Sequence, residues 1–258
     1  MLARSSDVRI GWTRWLKAQK YEQAFWQRLG DDIEAGAREH LDWYGWRARQ
    51  LERFLSVAGV TRTGGKVLEI GSGPVGIVNF LEWGERYGID PLEHFYRTRP
   101  TLVTLRQPDV TYLDGTGERL PFENGSCSLI IVDNVIDHTY APGTILEETH
   151  RVLRSDGHLY LSVNVHTQWG ALLHALLAVL QIDRGHPYTF TSRTLRRLLA
   201  ANRFGVLTEQ IEDYRHVKRA DRLSGSLKAR IKGYTGLSEF SHAVLCRKSA
   251  PTHSTPDR

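Results

Sequence analysis

A glycine-rich loop at residues 71–76 places the strongest constraint on how this 258-residue chain folds. The loop reads Gly-Ser-Gly-Pro-Val-Gly and follows directly on residues 66–70, whose apolar content predicts a short buried strand that ends at Gly71. Glycine permits a tight turn after a strand and lets a ligand approach the backbone there. The loop therefore predicts a ligand site at the carboxyl end of a first strand. Its G-x-G-x-x-G pattern alone fits several nucleotide-like ligands.

Strands and helices alternate along the chain after this loop. Helices are predicted at residues 79–86 and 145–153, and another is capped by Thr191 and runs through Leu199. Residues 171–180 are apolar on most faces, and we expect them to form a buried lid or a dimer helix. The alternation predicts an α/β fold, a Rossmann-like doubly wound seven-stranded mostly parallel sheet with an N-terminal helical cap. The predicted strands are residues 66–70, 87–89, 110–113, 128–132, 158–163, 206–211 and 240–245.

Residues 1–62 are predicted to form the helical cap, and residues 63–248 the main domain. Apolar residues recur at helical spacing in the cap, which holds five of the seven tryptophans. The cap either packs on the main domain or also walls a substrate pocket with aromatic faces such as that of Trp26, and both roles can hold together. The polar tail, residues 249–258, is predicted to be disordered. The five tryptophans are Trp12, Trp15, Trp26, Trp43 and Trp46.

The positive charge of the chain is concentrated in one segment. The whole chain has 34 Lys and Arg against 29 Asp and Glu, a net charge of +5. Residues 215–232 contain seven basic residues and only Asp221 as an acid, a net charge of +6 that exceeds the total. We interpret residues 212–238 as a basic insertion between the last two strands. Such a stripe can bind phosphates or an anionic acceptor, but it is more often a solvated helix face.

Cysteine usage and apolar run lengths favour a cytoplasmic protein. The two cysteines, Cys127 and Cys246, are too few for a disulfide framework and indicate a reducing compartment. Residues 1–7 have no apolar core of the kind that a signal peptide needs. The longest apolar run, residues 171–180, is far shorter than the ~20 residues of a membrane span, so no span is predicted.

Three acidic residues narrow the choice of ligand for the glycine loop. Glu69 lies just before the loop, where it would repel a pyrophosphate but suits the cationic amino-acid end of S-adenosylmethionine. Asp90 follows the second strand and can bind both ribose hydroxyls, which NAD and S-adenosylmethionine share. Asp114 follows the third strand, where it can accept a hydrogen bond from the exocyclic amine of adenine. The structural alternative for Asp114 is a turn formed with Gly115.

Five segments in order resemble the class I S-adenosylmethionine-dependent methyltransferases, and specifically their methyltransferase-11-like branch. Residues 67–74 resemble motif I of that family, and residues 88–91 resemble the ribose-binding motif that follows. The resemblance is strong from about residue 64 to residue 165. Pro74 and Val75 depart from the usual small or polar residues, which should only stiffen the helix start. The other three similar segments are residues 117–122, 133–138 and 148–157.

The resemblance implies S-adenosylmethionine as the cofactor and a role for each matched residue. Glu69, Gly71 and Gly73 would bind the methionine end, with Ser72 in the same loop. Asp90 and Pro91 would bind the ribose, and Asp114 and Gly115 the adenine. Asp133 and Asn134 would lie beside the sulfonium. The residues implied for cofactor binding are Glu69, Gly71, Ser72, Gly73, Asp90, Pro91, Asp114, Gly115, Asp133 and Asn134.

Methyl transfer to a hydroxyl requires removal of a proton, and His138 is our candidate for the base. It follows the fourth strand near the carboxyl edge, where ligands bind in sheets of this kind. Asp137 could orient the imidazole, although adjacent residues seldom face each other. The alternative is a histidine that fixes its loop through a backbone hydrogen bond. His186 and Tyr188, in the loop before Thr191, could face the acceptor or simply pack that loop.

A divalent cation is a second cofactor that the sequence leaves open. Asp133, at the end of the fourth strand, could converge with Asn164 or His166 after the fifth strand. A cation at such a position would orient and acidify a hydroxyl. The ligand set is incomplete, which argues against it.

The leading functional hypothesis is O-methylation of a sugar or glycan hydroxyl, since tryptophan stacks on the CH faces of sugars. An acceptor in the form of a lipid or polyketide-like natural product is the alternative, with the apolar helix as a wall. A nucleic-acid-binding methyltransferase or a non-catalytic binder would use the basic residues 215–232. No recognised RNA-binding module accompanies them, so nucleic acid is disfavoured. An NAD-dependent oxidoreductase would leave Asp114 without a role.

Overall fold

The computed structural model describes residues 11–36, 39–61, 64–178 and 188–249. In this part of the chain seven strands form one sheet, and helices cover both of its faces. The strands are β1 (Lys66–Ile70), β2 (Glu85–Asp90), β3 (Val110–Asp114), β4 (Cys127–Asp133), β5 (Leu153–Val165), β6 (Phe204–Ile211) and β7 (Phe240–Lys248). The helices are α1 (Trp12–Glu34), α2 (Glu39–Val57), α3 (Glu93–Tyr96), α4 (Pro100–Val103), α5 (Pro142–Val152), α6 (Gln168–Ala178), α7 (Ser192–Ala201), α8 (Tyr214–Leu223) and α9 (Leu227–Thr235).

The strand order across the sheet is β3-β2-β1-β4-β5-β7-β6. All strands run parallel except β7, which is antiparallel to both of its neighbours, β5 and β6. The order reverses between β1 and β4, the position at which open α/β sheets bind their ligands. The predicted fold class, a Rossmann-like, mostly parallel, seven-stranded sheet with an N-terminal helical cap, is confirmed.

Two apolar clusters fill the space between the sheet and the helices on its two faces. On one face, α2 presents a stripe with helical spacing, Tyr44, Ala48, Leu51 and Leu55, which packs on the sheet. On the other face, α5 and α7 pack on the central strands through apolar side chains such as Ile145 and Leu195. The N-terminal helices are therefore part of the core and bring α1 over the carboxyl edge of β1.

The predicted helix at residues 79–86 is wrong. The chain forms only a short 3-10 helix, Val78–Phe80, and enters β2 at Glu85. Gly84 has a φ of +78°, which ends any helix, and a Cβ there would lie 2.7 Å from the Val67 side chain. The buried Arg86 guanidinium donates to the carbonyl oxygens of Val78 and Leu81, so the turn gains side-chain partners in place of helical ones.

The apolar helix predicted at residues 171–180 is α6, but it is not buried within this chain. Trp169, Leu172 and Leu176 expose 60%, 56% and 62% of their surface. A buried lid is therefore wrong, and a dimer helix stays a prediction. The strand β5 also begins earlier than predicted, at Leu153, because its first residues pair with β4 through an irregular register.

Several predicted features lie at or beyond the limits of the described residues. The domain boundary at residues 62–63 lies outside the described ranges, as does the tail from residue 250 onward. Both stay predictions. The basic insertion is described, and it forms the helical hairpin of α8 and α9. Gly233 of α9 packs so closely on α8 that a Cβ there would lie 2.8 Å from the Arg222 side chain.

Candidate active site

A cavity of about 520 Å³ lies at the carboxyl ends of β1, β2 and β4. The helices α1 and α2 form its roof, and the loops after these strands form its floor. Most of its wall is apolar or aromatic. The lining residues from the roof are Trp15, Gln19, Tyr21, Glu22, Phe25, Trp26, Leu29, Trp43 and Tyr44. The lining residues from the floor include Glu69, Gly71, Ser72, Gly73, Asp90, Pro91, Thr116, Gly117, Glu118, Asp133, Asn134 and His138.

Two glycines of the loop after β1 have a backbone that other residues rarely adopt. Gly71 has a φ of +71° and Gly73 a φ of +59°. A Cβ at Gly73 would lie 2.9 Å from Tyr44 Oη and 3.2 Å from the Trp26 ring. A Cβ at Gly71 would lie 2.7 Å from Cγ1 of Val135. Glycine at these two positions therefore lets the loop take this conformation and pack closely against Val135 and the roof residues Tyr44 and Trp26.

Asp90, at the end of β2, ties this loop to the neighbouring one. Its carboxylate accepts hydrogen bonds from Gly73 N at 2.9 Å and from Leu92 N at 2.8 Å. Burial raises the pKa of Asp90 to about 7, against the lowering effect of these two amides, and nearby Glu22 contributes to the rise. The buried carboxylate is therefore poorly solvated, which favours its interaction with a cation or a hydroxyl group of a ligand.

Glu69, at the end of β1, is buried below the loop. Its Oε2 accepts a hydrogen bond from Val78 N at 2.9 Å. Burial raises the pKa of Glu69 to about 8, and the charges of Asp133 and Asp90 add to the rise. Three carboxylates facing one cavity make its interior favourable for a positively charged ligand.

Asp133, at the end of β4, is held by an arginine from the cap that the sequence analysis did not identify. Arg47 Nε donates to Asp133 Oδ2 at 2.8 Å, and Arg47 Nη2 donates to Ser162 Oγ at 2.7 Å. Ser162 also donates to Asp133 Oδ1. Arg47 is only 8% exposed, so this is a buried ion pair between α2 and the sheet.

The weak cation set of Asp133, Asn164 and His166 is not assembled. Asp133 has both carboxylate oxygens engaged by Arg47 and Ser162. His166 Nε2 instead lies 3.6 Å from Glu239 Oε1, and its ring stacks on that of His174. Among the described residues, no group of three or more His, Cys, Asp or Glu side chains is placed to hold a metal ion.

Asn134 has a strained backbone at the edge of the cavity. Its φ of +56° is uncommon for any residue other than glycine, and Asn134 N donates to Ser162 O at 2.9 Å. Such strain is found where a turn must present particular groups to a ligand. The turn carries the chain from β4 to His138.

His138 lines the cavity between two carboxylates. Its Nδ1 lies 3.7 Å from Oε2 of Glu22, a cap residue that the sequence analysis did not identify. Its Nε2 lies 3.8 Å from Oδ1 of the buried Asp137, so these adjacent residues do face each other. Glu22 shares a helical face with Trp15, Gln19 and Trp26, and that spacing is a signal that could have found it.

The loop that carries His138 is anchored by hydrogen bonds with Tyr188 and Glu118. Tyr188 N donates to Asp137 O at 3.3 Å, and Tyr188 Oη donates to Tyr140 O at 2.9 Å. Glu118 accepts hydrogen bonds from the backbone of Tyr140 and Ala141 at 3.0 and 3.2 Å. Tyr188 therefore positions the loop and is not among the lining residues. The other predicted residue of that segment, His186, lies outside the described residues.

The remaining predicted residues fall on both sides of the cavity wall. Trp26, Ser72 and Pro91 line the cavity. Asp114 and Gly115 do not; they line a neighbouring open pocket with Phe122, and Ile89 borders both. The cavity is lined instead by the next three residues, Thr116, Gly117 and Glu118.

The cavity is acidic, in contrast to the chain as a whole. None of the described residues that line it is Lys or Arg. The basic residues 215–232 are not among the residues that line this cavity. The acidic lining residues are Glu22, Glu69, Asp90, Glu118 and Asp133.

Comparisons with known proteins find methyltransferases. Residues 68–161 match the family model described as a methyltransferase domain. A protein of Mycobacteroides abscessus, described as an uncharacterized methyltransferase, is 33% identical over 110 residues, which are 42% of each chain. This chain thus matches less than half the length of that relative.

Solved structures of methyltransferases share the fold. A candidate sarcosine dimethylglycine methyltransferase of Galdieria sulphuraria superposes with a TM-score of 0.60 at 18% identity, over 79% of this chain and 85% of that one. The geranyl diphosphate C-methyltransferase of Streptomyces coelicolor superposes with a TM-score of 0.57 at 14% identity, over 78% and 79%. At these identities the solved structures show a shared fold, and the family match covers residues 68–161, a methyltransferase domain.

Proposed function

We propose that this protein transfers a methyl group from S-adenosylmethionine to a hydroxyl of an uncharged small molecule, with a sugar or glycoside as the leading class. The observation that carries the acceptor class is a wall of aromatic rings and carboxylates in which no described lining residue is Lys or Arg. Aromatic faces pack on the CH faces of sugars, and carboxylates accept hydrogen bonds from their hydroxyls.

The glycine-loop cradle fits the cofactor. Glu69, with Gly71 and Gly73 of the cavity lining, would hold the cationic methionine end, and Asp90 the ribose. Asp133 and Asn134 would lie beside the sulfonium, where Arg47 and Ser162 fix the position of the Asp133 carboxylate. S-adenosylmethionine supplies an electrophilic methyl group, so the protein's task is to position and deprotonate the acceptor.

His138 is the base in this proposal. Its Nδ1 faces the cavity beside Glu22, where it takes the proton of the acceptor hydroxyl. Asp137, 3.8 Å from Nε2, stabilises the imidazolium that results. Glu22, whose Oε2 lies 3.7 Å from His138 Nδ1, accepts a hydrogen bond from the acceptor hydroxyl. The anchored loop of Tyr188 and Glu118 holds these groups in place.

An anionic acceptor, which the sequence left open, is disfavoured by the same lining. A phosphate or carboxylate would meet several carboxylates and no described lysine or arginine in the wall. An amine is the second candidate, because aromatic rings and carboxylates also bind cations. A lipid or polyketide-like acceptor remains the alternative, and the RNA hypothesis loses support because residues 215–232 lie outside the cavity wall.

A labelled-methyl transfer screen tests the acceptor class. The panel pairs neutral glycosides with their phosphorylated counterparts and adds primary and secondary amines. We expect transfer to a neutral glycoside and at least tenfold less to its phosphorylated partner. Transfer to amines alone would show that the acceptor group is an amine and not a hydroxyl. Preferred transfer to phosphorylated acceptors would overturn the proposal.

A further inference from the structure

Two helices outside the active site expose apolar stripes to solvent. On α9, Leu227, Ile231 and Tyr234 are 70%, 51% and 66% exposed, and their spacing places them on one face. On α6, Trp169, Leu172 and Leu176 are 60%, 56% and 62% exposed and also share one face. Single exposed apolar residues are common, but two full stripes on neighbouring helices mark an interaction surface.

The helices that carry the two stripes touch at their ends. Trp169 Nε1, in the first turn of α6, donates to Thr235 O at the end of α9 at 3.2 Å. A Cβ at Gly170 would lie 2.9 Å from the carbonyl oxygen of Gly236, so the helix ends are in direct contact. We call the stripes of α6 and α9, with Leu223 of α8, the apolar surface.

Basic residues accompany this surface. At 100° per residue, Lys228 and Arg230 fall on either side of the α9 stripe, and both are exposed. On α8, Arg215 and Arg219 are exposed on the same side as Leu223, which is 77% exposed. Lysine and arginine beside an apolar stripe can reach anionic groups while their stems lie along apolar surface.

The position of the apolar surface in the fold gives it access to the active site. The α8–α9 hairpin leaves the carboxyl end of β6 and enters the antiparallel β7, and α6 follows the carboxyl end of β5. All three helices therefore lie at the edge of the sheet that carries the glycine loop. A partner bound to these helices would lie at the same edge of the sheet as the cavity.

We propose that the apolar surface and its basic residues dock this protein on an anionic lipid bilayer. None of the helices in the described ranges is long and apolar enough to cross a membrane, so the binding is interfacial. Tryptophan and tyrosine favour the boundary between headgroups and acyl chains, and each basic residue near an anionic surface adds to the attraction. Charge complementarity, together with apolar stripes that a nucleic acid would not need, favours a bilayer over RNA.

Sedimentation with vesicles tests this docking on the whole chain. We expect the protein to bind equimolar phosphatidylcholine–phosphatidylglycerol vesicles at least tenfold more tightly than phosphatidylcholine alone at ~0.15 M salt. The variant Leu227→Ser/Ile231→Ser should lose most binding, while Val57→Ser, which changes a 76% exposed residue elsewhere, should keep it. The variant Arg215→Gln/Arg219→Gln should weaken binding by roughly fivefold per residue. Lys17→Gln/Lys20→Gln, an equal charge change on α1, should have less effect.

Each contrary outcome assigns the surface differently. Equal binding to both vesicle types, or wild-type binding by the apolar variant, would overturn the proposal. RNA retention without vesicle binding would assign the basic residues to nucleic acid. Self-association that Leu227→Ser/Ile231→Ser abolishes, without vesicle binding, would assign the stripes to a second copy of this chain. Circular dichroism and S-adenosylmethionine affinity of each variant show whether it is folded.

Discussion

The β2–β1–β4 side of the sheet and the β5–β7–β6 side differ in charge and in exposure. The first holds a cavity lined by carboxylates and aromatic rings beneath α1 and α2. The second carries α6 and the α8–α9 hairpin, with exposed apolar stripes and basic residues. The net charge of +5 describes neither. The cavity suits a cationic cofactor and an uncharged acceptor, while the basic side suits an anionic surface, so charge must be judged by location.

The largest expected effect comes from His138, which would make the cavity side catalytic as well as acidic. His138→Ala should lower kcat by ~10²–10⁴-fold, since it removes the general base. S-adenosylmethionine affinity should stay within about twofold. The exposed His94 on α3 provides the matched control, and His94→Ala should leave kcat unchanged. Unaltered turnover in His138→Ala would return His138 to a loop-fixing role.

Substitution of Arg47 tests whether its ion pair with Asp133 stabilises the packing of α2 on the sheet. Arg47→Met leaves Asp133 buried without its main partner and should lower the free energy of unfolding by about 3–5 kcal/mol. Arg99→Met removes an ion pair with the exposed Asp31 and should cost about 1 kcal/mol or less. Urea denaturation measures both. Similar losses for the two variants would show that the buried pair has no special role.

Substitution of Gly71 tests whether cofactor binding depends on the conformation and close packing that glycine allows in this loop. Gly71→Ala combines a strained φ with overlap on Val135, and we expect S-adenosylmethionine affinity to fall by about 10–100-fold. Gly125 has a similar φ of +64° but nothing within 4 Å of a Cβ. Gly125→Ala therefore shares the backbone cost without the overlap, and should bind the cofactor normally in calorimetry. Equal effects would mean that backbone strain alone matters.

The smallest expected effect is the number of protons that the protein releases when S-adenosylmethionine binds. Burial raises the pKa of Glu69 to about 8 and that of Asp90 to about 7. Both carboxyl groups therefore stabilise the folded protein at low pH, where they are protonated. That contribution is complete below about pH 4 and is lost as pH rises through 7 and 8. A bound cation lowers both pKa values, so S-adenosylmethionine should release up to about one proton at pH 7.

Calorimetry in buffers of different ionisation enthalpy measures this release. Glu69→Gln removes one of the two groups and should reduce the number of protons released. Proton uptake on binding would contradict an acidic cavity that receives a cation. The same titration on Lys17→Gln/Lys20→Gln, which changes charge outside the cavity wall, should match the unaltered protein.

The glycine loop of the floor and the aromatic lining of the roof were predictable from the sequence, whereas the polar contacts made by the roof were not. Gly71, Gly73 and Asp90 follow strands directly, so short spacings predict where they lie. Glu22 and Arg47 come from the cap, and their contacts with His138 and Asp133 depend on how helices pack across more than 80 residues of chain. The exposed face of α6 was mispredicted for a related reason, since an apolar helix can face a core or an outside partner.

The most direct test of the central claim is calorimetric titration of this protein with S-adenosylmethionine and, separately, with NAD. An acidic cavity with carboxylates at Glu69 and Asp90 predicts binding of the cationic S-adenosylmethionine and at least tenfold weaker binding of the pyrophosphate-bearing NAD. Equal or tighter binding of NAD would contradict the account.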